Sequence, residues 1–231
     1  VSKNDRLDSA VLARYGAAET PEPWQPPTLA AQTLNALLAR REALCQDIQR
    51  EQNRHEKTRF ALNTPATVLD SIAQTLEFLN RQLGALEKEI DHHIDSDPTL
   101  KHNDQLLRSI NGVGPRVAQR MNALMSSHRF QSAEALAAYI GLTPCERVSG
   151  SSVRGKTRMS KKGPAQLRHL LFMPAIVAKK HNPHVKAIYA RLIAKGKPKM
   201  SAIGAAMRKL VHLCFGVLHS GKPYSPGWKH A

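Results

Sequence analysis

The chain has 231 residues, which is long enough for one large domain or two small ones with a real core. Aromatic residues make up only 5% of the sequence, and its alanine and leucine content favours helices over a β-sandwich or barrel. The formal net charge of +16 and the isoelectric point near 10.2 predict a polyanionic partner, with nucleic acid favoured over a membrane.

The cysteines and the hydropathy pattern point to an intracellular protein. Cys45, Cys145 and Cys214 are an odd number without metal-ligand spacing, which argues against a disulfide framework or a zinc site. No apolar run approaches 18 residues and no signal peptide opens the sequence, so we expect a soluble cytoplasmic protein without a membrane partner.

The first predicted element is an amphipathic helix over residues 3–15. Asp5 and Asp8 are three positions apart, so both carboxylates lie on one helix face and can share a divalent cation. The alternative is that two acidic residues near a helix start only interact favourably with the helix dipole. Residues 17–27 contain four prolines and are predicted to form a linker.

Two long helices are predicted next, over residues 28–63 and 66–95, with Pro65 between them. Apolar residues in the second helix recur at alternating steps of three and four, which is a heptad pattern. This pattern predicts an antiparallel helical hairpin, called the arm below. The apolar seam of the arm serves either dimerisation or packing within one chain, and the sequence does not distinguish the two.

Residues 103–125 are predicted to form two helices joined by a glycine turn. Gly112 and Gly114 allow a tight turn, and Pro115 suits the first turn of the second helix, which also carries Arg116. This resembles the helix-hairpin-helix motif, which binds the DNA backbone through exposed N–H groups at a helix start. An ordinary helical corner is the alternative.

Residues 144–168 are rich in serine, glycine and cations and almost without apolar side chains. Such a segment is predicted to lie on the surface as a loop or short ribbon. Its hydroxyls are candidate nucleophiles beside bound phosphates, and the alternative is a solvated basic loop. Residues 144–210 hold sixteen lysines and arginines against one acid, Glu146. Three further helices are predicted, over residues 164–180, 183–194 and 197–218, followed by a frayed tail.

Two separated signatures resemble one family. Residues 3–13 are similar to the last acidic motif of RuvC-like DEDD transposases. The sequences IGLTP (140–144), SGSSVRGK (149–156) and MSKKG (159–163) resemble the C-terminal domain of the IS110 (IS116/IS902) insertion-sequence transposases, which are related to Piv-type DNA invertases.

This resemblance implies a recombinase that mobilises insertion sequences. It implies an Mg²⁺-binding acidic site, with Asp5 and Asp8 as its third and fourth carboxylates, and a serine that forms a phosphoserine ester with DNA. Ser149 is the best match to that serine, with Ser151 and Ser152 as alternatives. We expect seven cations of this region to contact nucleic acid: Arg147, Arg154, Lys156, Arg158, Lys161, Lys162 and Arg168.

The resemblance also implies partners and a location. They are DNA, a structured guide (bridge) RNA, and further copies of the chain in a dimer or tetramer held by the arm, near the bacterial nucleoid. Full-length members begin with a β-rich half that carries the first Asp and the Glu. Because this sequence begins at the last acidic motif, we expect a truncated protein that binds nucleic acid but does not cut it alone.

The predicted architecture is mainly α. It comprises a remnant of the RuvC-like domain with a linker (1–27), the helical arm (28–97), a compact C-terminal transposase domain (98–220) and a tail (221–231). Two other functions remain open from the residues alone. They are a non-catalytic helix-hairpin-helix protein that binds nucleic acid, and a structural oligomerisation protein.

Overall fold

The computed structural model describes residues 4–20, 23–149 and 153–227, and it confirms a mainly α fold. Its one sheet in this part of the chain is a two-stranded ribbon. The helices are α1 (Asp5–Glu19), α2 (Leu29–Arg59), α3 (Ala66–Ser96), α4 (Pro98–Arg108), α5 (Pro115–Ser127), α6 (Ala133–Ile140), α7 (Ala165–His181), α8 (Pro183–Ala194) and α9 (Lys199–Ser220). The strands are β1 (Pro144–Ser149) and β2 (Val153–Met159).

Helices α2 and α3 form the predicted antiparallel arm. The start of α2 meets the end of α3, where Nε2 of His93 lies 2.9 Å from the carbonyl oxygen of Ala30. Leu34, Leu38 and Ile90 are buried at this base, where the arm also packs against α5. Packing within one chain therefore fills the seam at the base. Further along α3, the seam residues Leu76, Leu79 and Leu83 are only half-buried.

The main core belongs to the C-terminal helices, with α9 at its centre. Leu210, Leu213 and Val217 of α9 have no exposed surface, because α4, α6, α7 and α8 surround this helix. Among the described residues, α9 is the single helix whose length and mean hydropathy of 1.3 would suit a membrane span. Since more than half of that segment is buried in the fold, α9 has the character of a core helix.

The turn between α4 and α5 follows the predicted glycine pattern. Gly112 has a φ of +104°, and a Cβ there would lie 2.7 Å from Cβ of Ala178 in α7. The buried Asn182 donates from Nδ2 to the carbonyl oxygen of Asn111 (3.4 Å) and caps the start of α8 through Oδ1. This turn is thereby fixed against the junction of α7 and α8.

Three predictions need correction. Helix α4 begins at Pro98, well before residue 103, because Oδ1 of Asp97 accepts a hydrogen bond from the N–H of Leu100 (2.8 Å) and starts the helix there. The tail is not frayed at Tyr224, whose N–H donates to Oγ of Ser109 (2.8 Å) and whose hydroxyl donates to Oδ1 of Asn182 (3.1 Å). Helix α2 ends at Arg59, four residues before the predicted end.

Candidate nucleic-acid interface

The segment predicted to be a loop or ribbon is an antiparallel β-ribbon. Pro144 pairs with Met159 at its base, and Ser149 pairs with Val153 at its far end. A bulge lies between Cys145 and Arg147. A two-stranded ribbon has little stability of its own, so its position depends on how its base is attached.

Two glycines allow the base of the ribbon to pack closely against the end of α6. Gly141 has a φ of +79°, and a Cβ there would lie 2.2 Å from the carbonyl oxygen of Lys162. Gly163 has a φ of +111°, and a Cβ there would lie 2.0 Å from the carbonyl oxygen of Tyr139. Because no side chain fits at either position, the backbone after β2 can lie directly against the backbone that precedes β1.

Backbone hydrogen bonds complete this attachment. The N–H of Ser160 donates to the carbonyl oxygen of Thr143 (2.8 Å), and the N–H of Lys161 donates to that of Gly141 (3.1 Å). Nη1 of Arg168 donates to the carbonyl oxygens of Ile140 (3.0 Å) and Gly163 (2.9 Å). The structure thus gives Arg168, predicted to bind nucleic acid, a role in holding the ribbon base.

Exposed cations surround the attached base. Arg158, Lys161 and Lys162 are all exposed, and Lys161 is a non-glycine residue with a φ of +57°. None of the three forms an ion pair with any residue that the structure describes. A phosphate near the ribbon would therefore meet cations without intramolecular competitors.

Of the serine candidates, Ser149 lies at the far end of the ribbon. The backbone of Ser149 is the last residue of β1, while Ser151 and Ser152 fall outside the described residues. The side chains of Ser149 and of three predicted cations are also outside the described part, although their backbones belong to the ribbon. These cations are Arg147, Arg154 and Lys156.

The predicted carboxylate pair lies on α1, the one helix of the described chain that buries none of its residues. Asp5 and Asp8 are both exposed in its first turn. No group of three histidine, cysteine or acidic side chains close enough to hold a metal ion occurs among residues 4–20, 23–149 and 153–227. The oxygens of Asp5 and Asp8 suit Mg²⁺ chemically, but they form at most part of its ligand set.

The two glycines of the helix-hairpin-helix-like turn differ in their surroundings. A Cβ at Gly114 would meet nothing within 4 Å, so this residue leaves the start of α5 open to a ligand. Gly112 instead serves packing, as described above. Nη2 of Arg116 lies 2.9 Å from Oε1 of Glu87 in α3, so a phosphate at this turn would compete with that carboxylate.

One neighbour of the ribbon was missed by motif reasoning. The turn between α8 and α9 contributes Lys195, Lys197 and Lys199, all exposed. The start of α9 lies against β2, since a Cβ at Gly204 would be 2.8 Å from Cε of Met159, and a 330 Å³ groove there is lined by both segments. The charge of these lysines was visible in sequence, but the packing of α9 against β2 was not.

A thiol nucleophile in the core can be excluded. Cys214 of α9 is completely buried, and burial raises the pKa of its thiol to about 12. At neutral pH it is therefore protonated and inaccessible. Cys214 therefore cannot serve as a nucleophile.

Comparison with known proteins agrees with the sequence signatures. Residues 104–190 match the family model described as Transposase IS116/IS110/IS902 family. A pilin gene-inverting protein of Moraxella bovis is 32% identical over 225 residues, which cover 96% of this chain and 68% of that protein. The pilin gene-inverting protein of Moraxella lacunata is 31% identical with the same coverage.

A third relative is more distant. The uncharacterized 43.6 kDa protein of insertion element IS110 from Streptomyces coelicolor is 29% identical over 158 residues, which cover 68% of this chain and 38% of that protein. The matched region of the family model begins in α4 and ends in α8, so it includes the glycine turn and the whole ribbon. The chain belongs to the IS116/IS110/IS902 family of transposases.

Proposed function

We propose that this protein is a DNA recombinase in which a serine of the β-ribbon attacks a DNA phosphodiester. The observation that carries the proposal is the ribbon itself, in a transposase-family chain. Its base is tightly attached, Ser149 ends its first strand, and the exposed Arg158, Lys161 and Lys162 near the base form no ion pair with any described residue. Because the family recombines DNA, DNA is the partner. The names of the Moraxella relatives refer to inversion of a pilin gene, and we do not extend that target to the present chain.

Ser149 is the proposed nucleophile, with Ser151 and Ser152 as the neighbouring alternatives. Its hydroxyl oxygen forms a bond to phosphorus while the bond from phosphorus to one deoxyribose oxygen breaks. The hydroxyl proton ends on the departing oxygen, so the step yields a phosphoserine ester and a free DNA hydroxyl. The reverse step joins the held strand to a new hydroxyl, which completes recombination without an external energy source.

The cations of the ribbon neutralise the phosphates around this step. Arg158, Lys161 and Lys162 are exposed near the base, and Arg147, Arg154 and Lys156 belong to the strands. Charge-assisted contacts from such residues stabilise the negative charge that develops on a phosphate in the transition state.

Mg²⁺ is the proposed cofactor, with Asp5 and Asp8 as two of its ligands. When bound, the ion would polarise the phosphate and favour ionisation of an attacking hydroxyl. Two exposed carboxylates hold Mg²⁺ weakly, so the ion requires further ligands beyond those of the described residues.

We also propose a guide RNA and oligomerisation through the arm. A protein whose sequence choice is made by RNA pairing needs backbone contacts and no base-reading surface, which fits a basic surface of exposed lysines and arginines. The half-buried seam residues Leu76, Leu79 and Leu83 leave apolar surface on α3 that a second arm can cover.

The test is capture of a covalent protein–DNA adduct. The protein is incubated with Mg²⁺ and DNA carrying the ends of its element, both alone and with a polypeptide that supplies the family's first Asp and Glu. Adducts are counted after denaturation and located by peptide mass spectrometry. Ser149→Ala should abolish the adduct, whereas Ser160→Ala should retain it, because the Ser160 hydroxyl lies at the ribbon base and accepts from the N–H of Lys162.

The other outcomes are equally informative. Loss of the adduct only in Ser151→Ala or Ser152→Ala identifies that serine as the nucleophile. An adduct that survives all three substitutions refutes the serine mechanism. DNA binding with no adduct under any condition leaves a non-catalytic binding protein.

A further inference from the structure

A cluster of arginines lies in the cleft between the arm and the C-terminal helices, away from the ribbon. Arg41 of α2 and Arg116 and Arg120 of α5 line a cavity of about 150 Å³, which Gln166 of α7 also borders. Drug-sized ligands occupy pockets of roughly 300–1,000 Å³, so this cavity suits a small group. Leucines line much of the remaining wall, and three of the polar side chains at the cavity are arginines.

Arg41 is buried without a counterion. It is only 9% exposed, and Nη1 donates to Oε1 of the uncharged Gln119. No carboxylate lies within ion-pair distance of it among the described residues. Burial, and then the nearby charge of Arg116, lower the pKa of Arg41. A buried charge without a partner costs several kcal/mol, so an anion in this cavity would recover a large part of that cost.

The other two arginines leave donors available. Arg116 is paired with Glu87 through one nitrogen, and both side chains are about half exposed. Arg120 is half-buried and makes no hydrogen bond or ion pair with any residue that the structure describes. Glu42 also borders the cavity, and Asp91 lies behind Gln119, whose Nε2 donates to its Oδ1 (2.9 Å). None of these carboxylates forms an ion pair with Arg41 or Arg120.

We propose that Arg41, Arg116 and Arg120 form a binding site for a phosphate group. A guanidinium presents a planar fork of N–H donors that matches two phosphate oxygens, and three such forks converge here. The phosphate is a backbone phosphodiester of bound nucleic acid or a free phosphate anion. A backbone phosphate here would bring nucleic acid against the arm as well as the ribbon. The site does not depend on the serine chemistry proposed above.

The first experiment tests the free anion. Thermal unfolding is followed in inorganic phosphate and in chloride at equal ionic strength. A bound anion stabilises the native state by mass action, so phosphate should raise the unfolding temperature of the unaltered protein. Arg120→Gln should lose most of that rise. Arg40→Gln is the matched control, because Arg40 is the exposed neighbour of Arg41 on α2 and has no ion-pair partner among the described residues.

The second experiment tests nucleic acid. Affinity for a DNA duplex and for an RNA hairpin is measured by fluorescence anisotropy as a function of salt concentration. Loss of one phosphate contact should reduce the slope of log K against log[salt] by about 0.9 for the DNA duplex. This reduction is expected for Arg120→Gln and not for Arg40→Gln. Arg120→Lys keeps the charge but loses the fork, so it should bind with intermediate affinity.

The outcomes separate the sources of the phosphate. If Arg120→Gln, but not Arg40→Gln, loses only the phosphate-dependent rise in unfolding temperature, the ligand is a free anion. If Arg120→Gln also shows the reduced salt slope in the anisotropy experiment, the ligand is a backbone phosphate. If Arg120→Gln and Arg40→Gln behave alike in both, the site does not exist. Circular dichroism of both variants excludes unfolding as the cause of any difference. The adduct assay described earlier uses a different readout, so either proposal can fail without the other.

Discussion

Gly112 and Gly114 lie in one turn, but their surroundings give them different structural roles. Gly112 has positive φ and lies against α7, whereas Gly114 has a φ of −89° and open space where a Cβ would point. Their spacing in sequence predicts a tight turn, and this prediction is correct. The sequence does not tell which glycine is required by packing, because the neighbour at Ala178 is more than sixty residues away.

The two glycines are therefore expected to respond differently to alanine. Gly112→Ala should destabilise the protein by about 1–3 kcal/mol, since it adds a strained φ and a close contact with Ala178. Gly114→Ala should change stability by less than about 1 kcal/mol. Urea unfolding of both variants checks this, and equal losses would contradict the assigned packing role of Gly112.

Asp104 provides a pH-dependent prediction. Burial raises the pKa of its carboxyl above 3.8, although Arg108 opposes this through Nε, 2.6 Å from Oδ2. Its Oδ1 is buried without a hydrogen-bond partner. A raised native pKa means that the folded state holds its proton more tightly. The contribution of this group to stability is thus lost as pH rises from the unfolded pKa through the folded one.

Asp104→Asn should consequently stabilise the protein at pH 7 relative to the unaltered chain. Near pH 3, where the carboxyl is protonated in both states, the two proteins should be closer in stability. Urea unfolding at the two pH values measures this difference. A variant that is less stable at pH 7 would show that the pair with Arg108 outweighs the burial of the charge.

At the scale of elements, the existence of the helices was predictable, whereas the end of α2 and the start of α4 were not. Ser132 caps α6 by accepting from the N–H of Ala135 (3.1 Å), and Gly141 ends that helix with positive φ. The attachment of the ribbon was not predictable. It depends on Arg168 reaching the carbonyl of Ile140, 28 residues earlier, and composition cannot encode such a contact.

Removing this attachment should loosen the ribbon base without unfolding the domain. Arg168→Ala deletes two hydrogen bonds to carbonyl oxygens, which at about 0.5–1.5 kcal/mol each leaves the helices intact. We expect faster hydrogen exchange at the amides of Ser160 and Lys161, measured by mass spectrometry. Arg158→Ala, an exposed position, serves as the control and should leave these amides protected.

For the whole molecule, the sequence shows the distribution of charge along the chain, but it does not predict how the arm packs against the C-terminal helices. Residues 144–210 hold sixteen cations and one acid, and in the structure Arg158, Lys161 and Lys162 of this segment are exposed around the ribbon base. The docking of the arm depends on polar pairs far apart in sequence, such as Arg41 with Gln119. Motif reasoning overlooked Arg41 and Arg120 for this reason, since each appears in sequence as one ordinary arginine within a helix.

The overall charge leads to a salt prediction for the intact protein. If four cations near the ribbon each neutralise one phosphate, the slope of log K against log[salt] should be about −3.6 for duplex DNA. A titration between low and physiological salt measures it. A flat response would contradict any direct role of the basic surface in nucleic-acid binding.

The close packing at Gly141 and Gly163 also limits how far the proposed nucleophile can move relative to the domain. From Pro144 to Ser149 the strand is a lever of about 17 Å, at roughly 3.3 Å per residue. A swing of about 10° at the base would displace the tip by about 3 Å, which is comparable to the distance between reacting atoms in a productive geometry. A rigid attachment of the ribbon base therefore raises the effective molarity of the serine at the phosphate. A substitution at Gly141 or Gly163 that weakens this attachment would slow the proposed strand cleavage while DNA affinity stays the same.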